Sequence, residues 1–338
     1  MKPTDFAKGI GDFLSKYLPA ERRASSNTIS SYKDTFILFI GFMEQEKRIN
    51  AARLFLKHFT QVCIIEFLDW LQKQRHSSDS TRNVRLAALH SFCRYLQYEN
   101  PEYMEEWQRI MNIKIKITET GTVNYLSLEG IKLLLEQPDT STRKGLRDLS
   151  LFALMYDCGA RVQEILDLTP SAIRLDKPYT IKLIGKGRKA RIVPLMEQQV
   201  IHLKHYMTSN SLQDNNMNLH PLFFNSRKEK LTRAGVHYLL QAYAAMARNK
   251  NQPLIPDRIS CHSLRHSKAM HLLQAGVHLI YIRDILGHTS VLTTEIYARV
   301  DSKQKREAIE HVYQDLIAKE QPTWSQNQDL IEWLKGFN

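Results

Sequence analysis

The feature that most constrains the fold of this chain is a break in helical periodicity at residues 112–124, NIKIKITETGTVN. Apolar residues before it recur at helical spacing, whereas this stretch is polar, contains Gly121 and alternates isoleucine with lysine. It predicts an inter-domain linker, with a short edge strand as the alternative. A chain of 338 residues also favours two domains, at roughly 100–200 residues each. The predicted divisions are a domain at 1–112, a linker at 113–124, a second domain at 125–324 and a tail helix at 325–338.

The first domain is predicted to be helical, with three strong amphipathic segments. The segment TISSYKDTFILFIGFMEQ is expected to begin at an N-cap of Asn27 or Thr28, and the third segment at Ser80 or Thr81. Apolar stripes are predicted for the second and third segments. Their members are Val62, Ile65, Leu68 and Leu71 in TQVCIIEFLDWLQKQR, and Val84, Leu86, Leu89, Phe92 and Leu96 in SDSTRNVRLAALHSFCRYLQYE.

The second half is predicted to be helical around one β-hairpin. The stretch YTIKLIGKGRKARIVPL is the one clear strand pattern, because apolar residues alternate with polar ones on either side of a GKGRK turn. Ser127 is expected to cap a helix at SLEGIKLLLEQ, and GLRDLSLFALMYDCG to form a buried helix that ends at Gly159. The predicted fold class is therefore mainly α with a small β-hairpin or sheet.

The charge of the chain points to a polyanionic partner. The formal net charge is +12, and the excess is spread over the chain, since residues 1–118 hold 18 basic and 13 acidic side chains and the remainder 29 and 22. A protein that is basic throughout most often meets nucleic acid, the alternative being an ordinary solvated surface. The candidate phosphate contacts are Arg82, Arg85, Arg94, Arg188 and Lys189. The alternative is that these residues are solvated helix or turn surface.

The cysteine spacing and the hydropathy of the chain argue against several classes of protein. None of the four cysteines forms a CxxC pair, so zinc ribbons and redox motifs are not indicated. The start MKPTDFAKGIGDFL has no apolar signal core, and no run approaches ~18 apolar residues. We therefore expect a cytoplasmic, nucleoid-associated protein with reduced thiols, no membrane segment and no cofactor.

The stretch CHSLRHSKAMHLLQAG opens a predicted helix with an arginine between two histidines. His262 and His266 have the i, i+4 spacing of a zinc-binding helix, but Ser263 stands where HExxH has its glutamate, and Arg265 would repel a cation. His262 and Arg265 are three residues apart and share a helix face. A cation at a helix start suits a phosphate, and the alternative is a surface turn with stray basic residues.

Other candidate polar residues lie before and after the CHSLRHSKAMHLLQAG stretch in the sequence. Arg161, after Gly159, is at the edge of a buried helix and needs an anion or carboxylate partner; Glu164 follows three residues later. Downstream, His288 follows the helix end at Gly287. Tyr297 lies just off an apolar stripe, so we expect it to be half-buried with its hydroxyl free; the alternative is a core residue, as a lone helical tyrosine usually is. The stripe predicted for that last helix consists of Leu292, Ile296 and Val300.

Taken in order, these motifs resemble the tyrosine recombinase (phage integrase) family, close to its Xer-type members. The blocks are GARVQEIL, IGKGRKARIVPL, HSLRH, LGH and IYARV, and the strong resemblance covers about residues 125–300. It implies a helical core-binding domain and a mixed α/β catalytic domain. It also implies that Arg161 and Arg265 clamp the scissile phosphate, with Glu164 as the supporting acidic residue.

The resemblance assigns roles to four further residues. Lys186 is the general acid for the leaving 5′ oxygen, and His262 is the proton-transfer histidine. His288 contacts the phosphate, and Tyr297 is the nucleophile. His266 belongs to the motif and is expected to be structural. No metal takes part.

The activity implied is site-specific recombination through a 3′-phosphotyrosine intermediate and a Holliday junction. The expected partner is double-stranded DNA with inverted-repeat core sites, bound by a homotetramer on two sites, alone or with a second recombinase. The longer tail after Tyr297 favours integration and excision of a mobile element over chromosome-dimer resolution. The rivals are a type IB topoisomerase, a DNA-binding protein without catalysis, and a metal nuclease, for which no acidic cluster is present.

Overall fold

Helices form most of the chain in its computed structural model, which describes residues 2–118, 123–185, 187, 189–288, 290–300 and 334–335. The chain divides into two units, Met1–Thr120 and Gly121–Asn338. The predicted fold class, mainly α with a small sheet, is confirmed. The predicted tail helix at 325–338 lies outside the described residues except for Leu334 and Lys335, which are helical and exposed.

The described part of the first unit contains five α-helices, and four of them begin at a side-chain cap. The hydroxyls of Ser25 and Ser78 accept hydrogen bonds from the third backbone N–H of their helices, so both helices begin earlier than the predicted caps. The helices are α1 (Asp5–Asp12), continued by a π-helix (Phe13–Glu21), α2 (Ser26–Lys47), α3 (Gln61–Lys73), α4 (Asp79–Glu99) and α5 (Met104–Met111), with 3₁₀ turns at Ala51–Arg53, Leu56–His58 and Pro101–Tyr103.

The buried face of α3 differs from the predicted stripe. Leu68 and Leu71 are buried as expected, but Val62 and Ile65 are exposed by 66% and 42%. Aromatic packing explains the rotation, because Phe67 contacts the rings of both Phe39 and Phe42 on α2. Cys63 and Ile64 on the same side become buried with it. Val84 on α4 is likewise exposed, whereas the other predicted stripe residues of that helix are buried.

The arginines of α4 are not all surface residues. Arg82 is buried and donates from Nη1 to the carbonyl of Lys114 at 3.4 Å. Arg85 donates from Nη1 to the carbonyl of Ser31 at 2.9 Å and so ties α4 to α2. The expectation that these two side chains lie on an exposed face is therefore wrong, since both are engaged within the unit. Arg94 is exposed.

The described part of the predicted linker packs along α4. Residues 113–118 form neither helix nor strand. The side chain of Asn83 pairs with the backbone of Lys116, donating to its carbonyl at 2.8 Å and accepting from its N–H at 3.0 Å. The edge strand considered as an alternative is absent from these residues, because a side chain takes the place of a neighbouring strand.

The second unit surrounds a small antiparallel sheet with helices, and Ser127 caps α6 as predicted. The sheet order is β1-β2-β3, and β1 was missed because two residues carry no periodicity. The elements are α6 (Leu128–Leu135), α7 (Arg143–Asp157), α8 (Val162–Leu166), β1 (Ile173–Arg174), β2 (Thr180–Ile184), β3 (Ala190–Pro194), α9 (Glu197–Ser209), α10 (Arg233–Lys250), α11 (Cys261–Gln274), α12 (Leu279–Leu286) and α13 (Leu292–Val300), with 3₁₀ turns at Pro170–Ala172, Asn215–Met217 and Gln252–Leu254.

Two apolar clusters support this unit. The larger one surrounds α7 and the inward faces of β2 and β3. The smaller one joins α11, α12 and α13 around Tyr297. The stripe predicted for α13 is not the buried one, because Leu292 is exposed whereas Thr294 and Tyr297 are buried. Within the described residues, no helix is both long and apolar enough to cross a membrane.

Candidate active site

A tight turn between α7 and α8 brings the first predicted arginine next to the second. Gly159 has φ +53°, and a Cβ there would lie 2.7 Å from Cδ2 of Leu286, so only glycine fits. The carbonyl of Gly159 accepts a hydrogen bond from Nη1 of Arg265 at 2.7 Å. Arg161 follows this turn, and it lies near enough to lower the pKa of Arg265.

Glu164 is the centre of an ion-pair cluster. It accepts from the backbone N–H and from Nη1 of Arg161, both at 2.9 Å. It also accepts from Nη1 and Nη2 of Arg191, at 3.1 and 2.8 Å. Burial raises the pKa of the Glu164 carboxyl, but the bonds from Arg191 and Arg161 lower it more. The carboxylate therefore stays ionised and orients both guanidinium groups.

Arg191 is a site residue that sequence reasoning missed. Its Nε donates to the carbonyl of Ile285 at 2.8 Å, so it joins β3 to Glu164 and to the end of α12. A Cβ on Gly287, which has φ +66°, would lie 2.8 Å from Nη1 of Arg191. The signal was the alternation along β3, where Arg191 shares the inward side with the buried Val193.

Replacing Arg191 with Met should lower the free energy of unfolding by about 3 kcal/mol, because it breaks a buried ion pair and leaves the Ile285 carbonyl unbonded. The matched control is Arg174→Met, since Arg174 is exposed and, within the described residues, its side chain donates one hydrogen bond, to the carbonyl of Lys177. Calorimetric melting of both variants measures the difference. Equal melting temperatures would show that Arg191 does not hold the cluster together.

Arg265 is a buried cation with an unused donor. Its residue exposure is 3%, and burial, followed by the nearby Arg161, lowers its pKa to about 10, so it stays charged at neutral pH. Nη1 is bonded to Gly159, whereas Nη2 is buried and has no hydrogen-bond partner among the described residues. A buried charged donor without a partner is costly, so this group favours an anion beside it.

The two predicted site histidines are neutral at physiological pH. Burial lowers the pKa of His262, and Arg265 and Arg161 lower it further. Burial together with Arg265, Arg161 and Arg191 lowers the pKa of His288 to about 4, and its Nδ1 lies 2.9 Å from Oγ1 of Thr294. Both imidazoles can therefore donate or accept one hydrogen bond without adding charge.

Tyr297 differs from its prediction in both burial and bonding. Its exposure is 1% rather than half, and its hydroxyl is 2.9 Å from Nδ1 of His266. Burial raises the pKa of Tyr297, partly offset by Arg265 and Arg161. His266, which was expected to be structural only, thus contacts the predicted nucleophile itself. The pair was hidden in the sequence because 31 residues separate its members.

The hairpin turn is described only in part. Lys186 and Arg188 lie outside the described residues, and Lys189 is exposed. The backbone N–H of Gly185 donates to the carbonyl of Lys189 at 2.9 Å and closes the turn. In the described ranges, no group of three or more His, Cys, Asp or Glu side chains has metal-binding geometry.

The charge balance of this site suits a phosphodiester. Three guanidinium groups, those of Arg161, Arg191 and Arg265, face one carboxylate, that of Glu164. The excess positive charge lies among buried groups, where its attraction to an anion is stronger than in water. A phosphoryl group that gains negative charge during attack would be stabilised there.

Comparison with known proteins relates this arrangement to enzymes that act on DNA. Residues 124–304 match the phage integrase family, and residues 12–100 match the phage integrase N-terminal SAM-like domain. The putative integrase/recombinase y4rC of Sinorhizobium fredii is 34% identical over 91% of this chain and 92% of its own length. The tyrosine recombinase XerD of Listeria monocytogenes is 30% identical over 86% of this chain and 93% of its own. The XerH site-specific recombinase bound to its difH substrate is similar in structure, with a TM-score of 0.64 and 25% identity over 88% of this chain and 83% of that one.

Proposed function

From the premise that this chain belongs to the phage integrase family, whose members are site-specific tyrosine recombinases acting on DNA, we propose that it integrates and excises a mobile element. Tyr297 is the nucleophile of this reaction, and Arg161 and Arg265 hold the scissile phosphate. The assignment of the phosphate site rests on the buried Nη2 of Arg265, a charged donor with no partner in the described residues. Arg161 lies near enough for its charge to lower the pKa of Arg265. A non-bridging phosphate oxygen supplies the missing acceptor.

Each cleavage step exchanges one phosphate ester for another. The hydroxyl oxygen of Tyr297 bonds to phosphorus, its proton passes to His262, and the bond from phosphorus to the 5′ oxygen breaks. Lys186 gives a proton to that oxygen, and His288 donates to the phosphate. The products are a 3′-phosphotyrosine and a free 5′ hydroxyl. Because the ester keeps the energy of the broken bond, a 5′ hydroxyl from a second duplex can reverse the step and leave a Holliday junction.

The arginines lower the barrier by stabilising charge on the non-bridging oxygens. A tyrosine hydroxyl has an ordinary pKa of about 10 and attacks poorly at pH 7. In this site burial raises that pKa, while the charges of Arg265 and Arg161 act against burial. The two arginines therefore make the hydroxyl easier to deprotonate than burial alone would allow.

Sequencing the DNA to which the protein becomes attached would test the biological role. The full chain is incubated with fragmented DNA from its source organism, and the covalent adducts are captured and mapped. Adducts at the two ends of an element, with the joined ends found as an excised circle, are expected. Similarity to y4rC, a putative integrase/recombinase, supports this outcome.

Chromosome-dimer resolution is the second candidate, because a relative named XerD is 30% identical over most of this chain. It predicts adducts at one chromosomal locus and no excised circle. A type IB topoisomerase would instead give scattered adducts and relax supercoiled plasmid as a monomer. A DNA-binding protein without catalysis would give no adduct at all.

We further propose that four copies assemble on two inverted-repeat core sites, and that residues 325–338 dock on a neighbouring copy. The tail carries a short apolar face made of Leu330, Trp333, Leu334 and Phe337. Burying such side chains yields roughly 1.5–3 kcal/mol each before ordering costs. The basic residues proposed to contact DNA, Arg94, Arg188 and Lys189, lie elsewhere in the sequence and bind each half-site.

Deleting residues 325–338 should reduce recombination between two sites about tenfold or more and leave single-site binding nearly unchanged, because each lost 1.4 kcal/mol is a factor of ten. Gel shifts and a two-site recombination assay measure both quantities. A matched pair of point variants, Leu334→Ala and Lys335→Ala, compares an apolar with a charged residue, both exposed on the same helical turn. Full-length rates in the truncated protein would mean that the tail packs on its own domain.

A further inference from the structure

The hydroxyl of Tyr297 is bonded to a side chain that the mechanism above does not use. His266 on α11 places Nδ1 at 2.9 Å from this hydroxyl, with the two ring centroids 5.7 Å apart. Within the described residues this is the only hydrogen bond that the Tyr297 hydroxyl makes. The contact therefore decides where the hydroxyl rests when no DNA is bound.

In this position the hydroxyl is covered and hydrogen-bonded. Tyr297 is 1% exposed and packs in an apolar cluster formed by α11, α12 and α13. A phosphorus atom must come within bonding distance of the hydroxyl oxygen, and here that oxygen is bonded to Nδ1 of His266. Cleavage therefore requires that this bond be given up.

The bond to His266 holds the Tyr297 hydroxyl in place without removing its proton. Burial lowers the pKa of His266 to about 4, helped by the neighbouring His262 and Arg265, so the imidazole is neutral at pH 7. A neutral imidazole with so low a pKa accepts a hydrogen bond but is a poor acceptor of the proton itself. Burial also raises the pKa of Tyr297, so the pair rests as phenol and imidazole.

We propose that His266 is a positioning residue that holds Tyr297 in a docked, non-attacking place until a phosphate occupies Arg161 and Arg265. This rests on the proposed role of Tyr297 as nucleophile. His266 directly follows Arg265 in α11, so the docking contact and the phosphate clamp lie on one helical turn. One neutral hydrogen bond is weak enough to be given up when phosphate binds.

The test compares two histidines on the same helix. His271 is also half-buried and places Nδ1 at 2.8 Å from a tyrosine hydroxyl, that of Tyr156, but it does not contact Tyr297. The variants His266→Phe and His271→Phe each remove one such bond and keep an aromatic ring. Their initial rates of adduct formation are measured on a nicked core site, with thermal melting as a check on folding.

A second measurement needs no DNA. Nitration by tetranitromethane, located by mass spectrometry, compares Tyr297 with Tyr281, which is 66% exposed. We expect slow nitration of Tyr297 in the wild type and faster nitration in His266→Phe. The adduct rate in that variant should rise about two- to tenfold, the range spanned by one neutral hydrogen bond. Neither quantity should change in His271→Phe.

Three results would overturn the docking role. They are a slower adduct rate in a folded His266→Phe variant, unchanged nitration of Tyr297 in that variant, and wild-type nitration of Tyr297 as fast as that of Tyr281. The last result needs no variant, so it stands even if His266→Phe does not fold. A wild type that forms no adduct would refute the proposed function, whereas nitration would still report on docking.

Discussion

The Tyr297→Phe variant should form no covalent adduct with a nicked core-site duplex, whereas the wild type accumulates one. Removing the hydroxyl removes the atom that bonds to phosphorus, so a loss of more than about a thousandfold is expected. The ring still fits its cluster, and only the bond to Nδ1 of His266 is lost, at a cost of about 1 kcal/mol. Denaturing gels of the protein–DNA mixture measure the adduct.

Tyr281→Phe is the matched control, because Tyr281 lies on α12 in the same cluster region but is exposed. It should form the adduct at the wild-type rate. Gel shifts should give equal DNA binding for all three proteins. The mechanism invokes no metal ion, so EDTA should leave the wild-type yield unchanged. A normal adduct yield in Tyr297→Phe would show that another residue is the nucleophile.

The chemical types of the site residues were predictable, since they recur as short motifs. Arg161 and Glu164 belong to one block of sequence and bond to each other, whereas Arg265 and His288 belong to two other blocks. The charge of Arg161 lowers the pKa of both Arg265 and His288, so the three blocks lie near one another. Each block also carries its own turn, such as the glycine at 159, which sets the local geometry. The order of the blocks predicted the family, whereas helical periodicity and one strand pattern predicted the mainly helical fold.

Contacts between distant segments were not predictable, because periodicity describes one element at a time. Arg191 is an ordinary basic residue of a strand until Glu164 is placed beside it. His266 and Tyr297 meet only because α11 and α13 pack on each other. The rotated face of α3 has the same cause, since ring packing from α2 decides which side of that helix is buried. Tertiary packing thus overrode local patterns where aromatic and charged groups found partners.

Alanine at Lys186 and at Arg265 should both slow cleavage of ordinary DNA, but only the first loss should be repaired by a better leaving group. If Lys186 protonates the 5′ oxygen, a substrate with sulfur at that bridging position needs little protonation and should restore most of the rate. Arg265 instead stabilises charge on the non-bridging oxygens. Its loss should cost about 3–4 kcal/mol, or roughly 200- to 800-fold, with either substrate. Single-turnover rates of adduct formation measure each case.

The control for these two variants is Lys182→Ala, an exposed lysine on β2 that enters the same hairpin four residues before Lys186. It should cleave both substrates at the wild-type rate, which separates the chemistry of the turn from its net charge. Arg265→Ala also leaves the Gly159 carbonyl without its donor. The melting temperatures of this variant and of the wild type are therefore measured and compared with the assay temperature. Equal rescue of the Lys186 and Arg265 variants by sulfur would refute the division between acid and clamp. In that event, both cations would act on the leaving oxygen, and Nη2 of Arg265, which has no partner among the described residues, would contact the bridging oxygen of the phosphate rather than its non-bridging oxygens.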